Sequence, residues 1–447
     1  MTSRRPAGAE QLEMIGSFES TYLPAHDRDV IETTEHDRRF EADIDLLTRS
    51  GVTRLRYPVR WHRVESEEGA LDWSGTDRTL GLLRDRGLRP IVDLVHHTSY
   101  PAWLTGGFAD PRFGAAYLRY AEAFARRYDW VEEYTLFNEP FSTLFLCGHE
   151  AIWPPYTSGL ANFVDLIANV MPAVAEASRL YQELLPLARH VWVDTCEHHT
   201  GSDESGRRYA DFANERRFLV LDAFLGRNYD ESSPLGSELA AVGGERLRDW
   251  TPGSVDVLGL DYYAHCQWNF SLDGGTAPTG NPLPLADQIE EYWHRYDLPC
   301  MLTETNVRGS TSDRATWLKY VAEQCETAID RGVPLEAVCW FPLIDSTDWN
   351  SLLFRCDGHV DPVGVYWLDE HLDRRESVMS ESFAVLARGG TSAVLPAFRL
   401  SEAVAERLAG YAAQMAHWEW REPPSADQGT NLPRTSNRME LRVVAAE

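Results

Sequence analysis

Three times along the chain an amphipathic segment ends at a glycine close behind a charged residue, and an apolar run starts at once: "LLTRSGVTRLRYPV", "LLRDRGLRPIVDLVHH" and "AIDRGVPLEAVCWFP". Gly51, Gly87 and Gly332 stand where a helix C-terminus calls for a left-handed residue, which glycine adopts without steric penalty. This is the α-to-β joint of an α/β fold. Carried along the chain, the pattern yields eight strand candidates, near residues 12–18, 53–59, 89–95, 131–137, 190–196, 255–261, 299–304 and 336–343. Most are near-continuous apolar runs, as parallel strands buried on both faces are. Helical spacing fills the gaps, with Phe40, Ile44 and Leu47 on one face and Tyr117, Tyr120, Ala121, Phe124 and Tyr128 on another. Eight strands alternating with helices predict a (β/α)8 TIM barrel with elaborated βα loops. The rival, an open doubly wound sheet, advertises a Gly-rich phosphate loop after its first strand, and this sequence has none.

The barrel is expected over residues 1–390. Helical patterns around 371–388 and 401–417 close it and flank it, so 391–420 reads as a helical extension. The remainder, 421–447, is rich in Pro, Ser, Asn and Thr and reads as a flexible tail.

Charge narrows the function classes. The formal net charge is −27 at pH 7, and Lys319 is the only lysine. A chain without a basic run is a poor match for phosphate backbones or an anionic membrane surface. No run reads as long enough to span a bilayer, and Arg4-Arg5 is not followed by the apolar stretch of a signal peptide. The seven cysteines are scattered, without a C-x-x-C. Free thiols and a cytoplasmic location are therefore expected.

In such a barrel the chemistry sits at the C-terminal ends of the strands. Two carboxylates stand there. Glu139 follows the fourth strand in "EYTLFNEP", and Glu304 follows the seventh in "PCMLTETN". A carboxylate pair is what glycosidic cleavage needs: one protonates the leaving oxygen while the other attacks the anomeric carbon or activates water. Adjacent histidines at 96–97 and 198–199 would point to opposite faces of a strand, so neither pair chelates by itself. Neither metal nor other cofactor is expected.

These segments resemble glycoside hydrolase family 1, a group of clan A retaining β-glycosidases. "TLFNEP" (135–140) resembles its acid/base motif and "LTETN" (302–306) its nucleophile motif. "RYPVRWHRVE" (56–65), "HHTSYPAWL" (96–104), "GLDYYAH" (259–265) and "WFPLIDSTDW" (340–349) resemble its second, third, sixth and eighth strand segments, in the right order. The resemblance implies that Glu139 is the general acid/base and Glu304 the nucleophile. It places Arg56 and Tyr263 beside Glu304, Asn138 on the sugar 2-hydroxyl, and His97, Asp348 and Trp349 on other sugar hydroxyls, with His96 as a structural neighbour. Glu139 should be held protonated by burial and nearby negative charge, and Glu304 ionised by Arg56.

The departures fall among the residues that hold the sugar. The family carries Gln after an aromatic on its first strand. Here "GSFESTYLP" offers Glu19 in its stead. The family's strand-8 glutamate is Asp348, and the Asn of its Tyr-Tyr motif is Asp261. The function expected is a retaining exo-β-glycosidase acting on a small glycoside or oligosaccharide. Another clan A activity (β-mannosidase, β-xylosidase, endoglycanase) and transglycosylation stay open. A non-catalytic sugar-binding barrel would typically lack one carboxylate. A phosphate-handling barrel would carry a Gly-rich loop where Glu304 and Trp349 stand.

Overall fold

The computed structural model describes residues 12–272 and 275–425. Its centre is a closed barrel of eight parallel strands. They are β1 (Glu13–Gly16), β2 (Arg54–Pro58), β3 (Arg89–Asp93), β4 (Glu133–Thr135), β5 (Arg189–Thr195), β6 (Val257–Asp261), β7 (Cys300–Glu304) and β8 (Leu335–Trp340). Each neighbours the next in sequence, and β1 closes the ring by pairing with both β8 and β2. All eight expected strands are present, one or two residues shorter at most ends. Helices α1 (His36–Ser50), α2 (Ser74–Asp85), α3 (Phe113–Arg127), α4 (Pro140–Gly148), α5 (Leu160–Leu184), α6 (Glu204–Arg216), α7 (Leu285–Tyr296), α8 (Thr311–Asp330) and α9 (Val378–Ala387) surround or cap it. Gly51, Gly87 and Gly332 adopt positive φ of 105°, 68° and 93° behind α1, α2 and α8, the conformation that their sequence context calls for.

Two apolar layers result. Ile15, Ile91, Val191, Val193, Val257, Met301, Ala337, Cys339 and Phe341 form an inner cluster, and a larger cluster lies between strands and helices. Alternation along β2 explains the division: Leu55 joins the outer cluster, while Arg54 and Arg56 take the other face. Arg54 belongs to an ion network with Glu133, Glu13, Arg189 and Glu336, all close to the N-terminal ends of their strands. Arg56, two residues on, reaches the C-terminal ends of β4 and β7.

The helical patterns near the C-terminus are only partly helices. Of 371–388, α9 takes Val378–Ala387, and Arg374–Arg375 instead pairs with Trp367–Leu368. Of 401–417, one helix covers Glu402–Arg407, followed by a 3-10 turn at Ala409–Tyr411. Ala397–Phe398 pairs with Trp420–Arg421. This extension packs on the barrel: Lys319 of α8 donates to the Ser392 and Leu395 carbonyls at 2.7 and 3.1 Å, and the Tyr411 and Tyr262 hydroxyls are 2.8 Å apart. Most of the expected tail lies outside the described residues. The expectation that no segment could span a bilayer is corrected by α5, which at 25 residues is long and apolar enough by composition. Its buried residues, Phe163, Ile167, Val170 and Val174 among them, join the outer cluster, and it packs on α3 as a core helix.

Candidate active site

The site is assembled where β2 to β4 and β6 to β8 end. β7 delivers Glu304 as its last residue, 1% exposed. Arg56 Nη1 donates to Glu304 Oε1 at 2.7 Å, and the Tyr263 hydroxyl donates to Oε2 at 2.7 Å. Both oxygens thus have a donor fixed on another strand end. Glu139 precedes α4, with Pro140 as the first helical residue and a left-handed backbone at φ 45°. A non-glycine residue held there is strained. The Glu139 N–H donates to the Val193 carbonyl at 2.9 Å and the Asn138 N–H to Val95 at 2.9 Å, which pins this turn across β3 and β5. Asn138 Oδ1 accepts from Arg56 Nη2 at 2.6 Å, so one guanidinium orients both motifs.

One carboxylate oxygen each from Glu139, Asp261 and Glu304 lie within 4.8 Å of one another. The chemistry of this trio is set by burial and mutual repulsion. Burial raises the Glu139 carboxyl well above the ordinary range, and the charges of Asp261 and Glu304 raise it further. Asp261 is raised well above its ordinary value by burial and by Glu304. Burial also raises Glu304, but Arg56 and the cationic His96 pull it back. The ordering makes Glu139 the proton holder and Glu304 the carboxylate with cationic support. Among the described residues, this trio is the one group of acidic, His or Cys ligand atoms spaced closely enough for a metal ion. Both Glu304 oxygens are already occupied by Arg56 and Tyr263.

A second chain of alternating charges leaves Arg56 toward β1. Arg56 Nη2 lies 3.6 Å from Asp93 Oδ2, His96 Nδ1 is 2.8 Å from the same oxygen, and His96 Nε2 is 3.6 Å from Glu19 Oε1. Burial opposes charge on His96, but Asp93 and Glu19 outweigh it and push its pKa up to about 10. Glu19 Oε1 also accepts from the Thr21 N–H and hydroxyl at 2.7 and 2.6 Å. Glu19 Oε2, His96 Nε2, Asn138 Nδ2 and Asp261 Oδ2 are buried without a hydrogen-bond partner. This supply of donors and acceptors suits hydroxyl groups.

The two histidines serve different partners. His96, read as structural or as lying behind the sugar-binding residues, is tied to Asp93 and Glu19, and it stacks with Phe341 at 5.7 Å. His97 lies beside Glu139: its Nε2 is 3.8 Å from Glu139 Oε2, and its Nδ1 is 2.8 Å from Thr143 Oγ1. Burial, with the charges on His96 and Arg56, holds His97 well below the usual imidazole range. Both residues lie beyond the end of β3, and His97 is left-handed at φ 49°. The strand alternation expected to point them apart therefore does not operate, and their rings meet at 4.6 Å.

The strand-8 segment also departs. Asp348 accepts from Arg28 at 2.5 Å and from the Gly358 and His359 N–H groups at 3.1 and 2.9 Å. It holds the loop after β8 together, and both its oxygens are engaged. Trp349 packs on the inner cluster, its ring 6.0 Å from Phe341. Phe341 was missed from sequence. Its ring also lies 5.9 Å from the Arg56 guanidinium, and no spacing rule singles it out from its apolar neighbours.

Comparisons with known proteins bear on the fold and the family. Beta-glucosidase A of Thermotoga maritima is 22% identical over 386 residues, covering 76% of this chain and 83% of that protein. The beta-glucosidase of an Agrobacterium species is 24% identical over 361 residues, covering 70% and 77%. The structure of the beta-glucosidase from Thermotoga maritima in complex with glucoimidazole superposes with a TM-score of 0.71 at 17% identity, covering 86% of this chain and 99% of that one, which shows a shared barrel. Residues 19–268 match the family model of Glycosyl hydrolase family 1, more than half of the chain. The chain belongs to that family and is a glycoside hydrolase.

Proposed function

We propose that the protein is a retaining exo-β-glycosidase that hydrolyses a small β-glycoside, with Glu304 as nucleophile and Glu139 as general acid/base. One observation carries the reading. Oxygens of the two carboxylates approach within 4.8 Å, near the separation of about 5–5.5 Å of retaining enzymes and short of the roughly 6.5–9.5 Å that leaves room for a water in inverting ones. Glu304 attacks the anomeric carbon while Glu139 protonates the departing oxygen. Arg56 and Tyr263 hold the attacking carboxylate in position. Water, deprotonated by Glu139, then releases the sugar.

The relatives are named beta-glucosidases, which makes aryl β-glucosides the first substrates to try. Glu19 and the engaged Asp348 change the surroundings of the sugar, so a panel of sugars belongs in the test. The unpaired cysteines, six buried and one half-buried, support a reducing compartment, the cytoplasm.

Incubation with 2-deoxy-2-fluoro glycosides carrying a good leaving group, followed by intact mass and peptide mapping, tests the mechanism. The expected result is one covalent sugar on Glu304. Turnover of aryl β-glycosides without such an adduct, or an adduct elsewhere, overturns it. Glu304→Gly with azide is the complement: restored turnover giving the inverted glycosyl azide is expected, and full activity without azide is the contrary result.

A further inference from the structure

Two carboxylates suffice for the reaction above, yet the site holds a third. Asp261 ends β6 and is fully buried. Its Oδ1 accepts from the Thr303 hydroxyl at 2.7 Å, and its Oδ2 is buried without a partner. Thr303 reaches it across Gly259, where a Cβ would lie 2.7 Å from Thr303 Oγ1 and 2.6 Å from the Trp192 carbonyl. The close approach of β6 and β7 is thus built into the strands. The guanidinium of Arg56 serves this cluster, but its Nη1 is committed to Glu304 and its Nη2 to Asn138. From the other elements, Glu139 is faced by His97 of the segment after β3, held neutral. Asp194 of β5 adds negative charge, and its own carboxyl is bound to the Phe141 N–H at 2.9 Å. Tyr263 is committed to Glu304. Three buried carboxylates this close, with one guanidinium between them, cannot all be ionised.

We propose that Asp261 and Glu139 hold one proton between them, making Asp261 a positioning residue that sets the strength of Glu139 as acid and as base. The inference rests on the roles given above to Glu139 and Glu304. In the first step the proton passes from Glu139 to the glycosidic oxygen as the bond from the anomeric carbon to that oxygen breaks and the Glu304 oxygen bonds the same carbon. The pair is then left with two negative charges while Glu304 is an uncharged ester. In the second step Glu139 removes a proton from water, the water oxygen bonds the anomeric carbon, and the electrons of the ester bond return to Glu304. The pair regains its single proton. Beside an anionic Asp261, Glu139 is a weaker acid in the first step and a stronger base in the second.

Asp261→Asn removes that charge and keeps the shape. The experiment compares kcat/KM against pH for two aryl glycosides, a dinitrophenyl glycoside whose leaving group departs unprotonated and a methoxyphenyl glycoside that needs the acid. The substitution is expected to move the basic limb of the methoxyphenyl profile down by about one pH unit or more, leave kcat/KM for the dinitrophenyl substrate without that shift, and lower kcat for the dinitrophenyl substrate several-fold where ester hydrolysis limits it. A basic limb that stays in place, with both substrates slowed equally, makes Asp261 merely structural and overturns the proposal. Carboxyl 13C titration of the unmodified protein, labelled at Asp and Glu, reads the same proton without a variant and without turnover. A buried Asp signal that moves together with that of Glu139 through a single one-proton transition is expected. An Asp261 signal that stays flat through that transition overturns proton sharing. Absence of any glycoside hydrolysis by the unmodified protein would instead refute the proposed function, whatever the titration shows.

Discussion

His96 stands between two carboxylates, Asp93 at the end of its own strand and Glu19 beyond β1, and shows what such pairing is worth. Its folded pKa of about 10 exceeds the unfolded value of about 6.5. The stabilisation is therefore fully present below about pH 6.5 and is lost as pH rises through about 10. Urea midpoints from pH 6 to 10.5 should fall with pH, and His96→Asn should flatten that part of the curve. At this scale the sequence displays the residues whose role depends only on strand ends: Glu139, Glu304, Arg56, Asn138 and Tyr263. It hides those whose role depends on backbone handedness or a distant partner. The rings of His96 and His97 meet because the chain turns left-handed at His97 beyond the end of β3. Asp348 is drawn to Arg28, 320 residues away, and no local pattern encodes that pairing.

At the scale of elements, the helix-to-strand joints differ although they read alike in sequence. At Gly51 φ is 105°, and a Cβ would meet Arg388 Cγ at 2.9 Å and the Ala387 carbonyl at 3.4 Å. Around Gly87, at φ 68°, nothing lies within 4 Å. Gly87→Ala should lower stability by about 1 kcal/mol through backbone strain alone, and Gly51→Ala by roughly 2 kcal/mol or more because the turn against α9 must also shift. Thermal melts of the two variants check the order. The barrel strands were legible because each is a short apolar run between such joints. The C-terminal patterns were less so: periodicity over 371–388 and 401–417 cannot tell a continuous helix from a hairpin, or from a short helix followed by a 3-10 turn, when tertiary contacts with α8 and Tyr262 decide the path.

Across the whole molecule, the two ends of the barrel do different work with the same chemistry. At the N-terminal end Glu133 takes both prongs of Arg54, at 2.7 and 2.6 Å, and is also paired with Arg189. Glu133→Ala would leave Arg54, a buried cation, with only part of its compensation. The expected loss is about 3 kcal/mol in chemical unfolding, with kcat/KM per folded molecule unchanged. Equal losses of stability and of activity per folded molecule would show that the two ends are coupled. At the opposite end the Trp153 indole donates to the Leu352 carbonyl at 2.8 Å, which ties the segment after β4 to the segment after β8.

The crowded carboxylates also carry a consequence for folding itself. Glu139 and Asp261 are raised well above their ordinary values, Asp194 is pushed up to about 8 and His96 to about 10. At pH 7.5 an unfolded chain leaves all of these groups largely without protons, whereas the native state keeps one proton on the Glu139–Asp261 pair and protons on Asp194 and His96, so folding takes protons up from the buffer. Calorimetric unfolding in Tris and in phosphate should then give enthalpies that differ by the ionisation heat of more than one proton per molecule, and identical enthalpies in the two buffers would contradict it. On the roles proposed above, the proton handed to the substrate is first taken from solvent when the barrel closes.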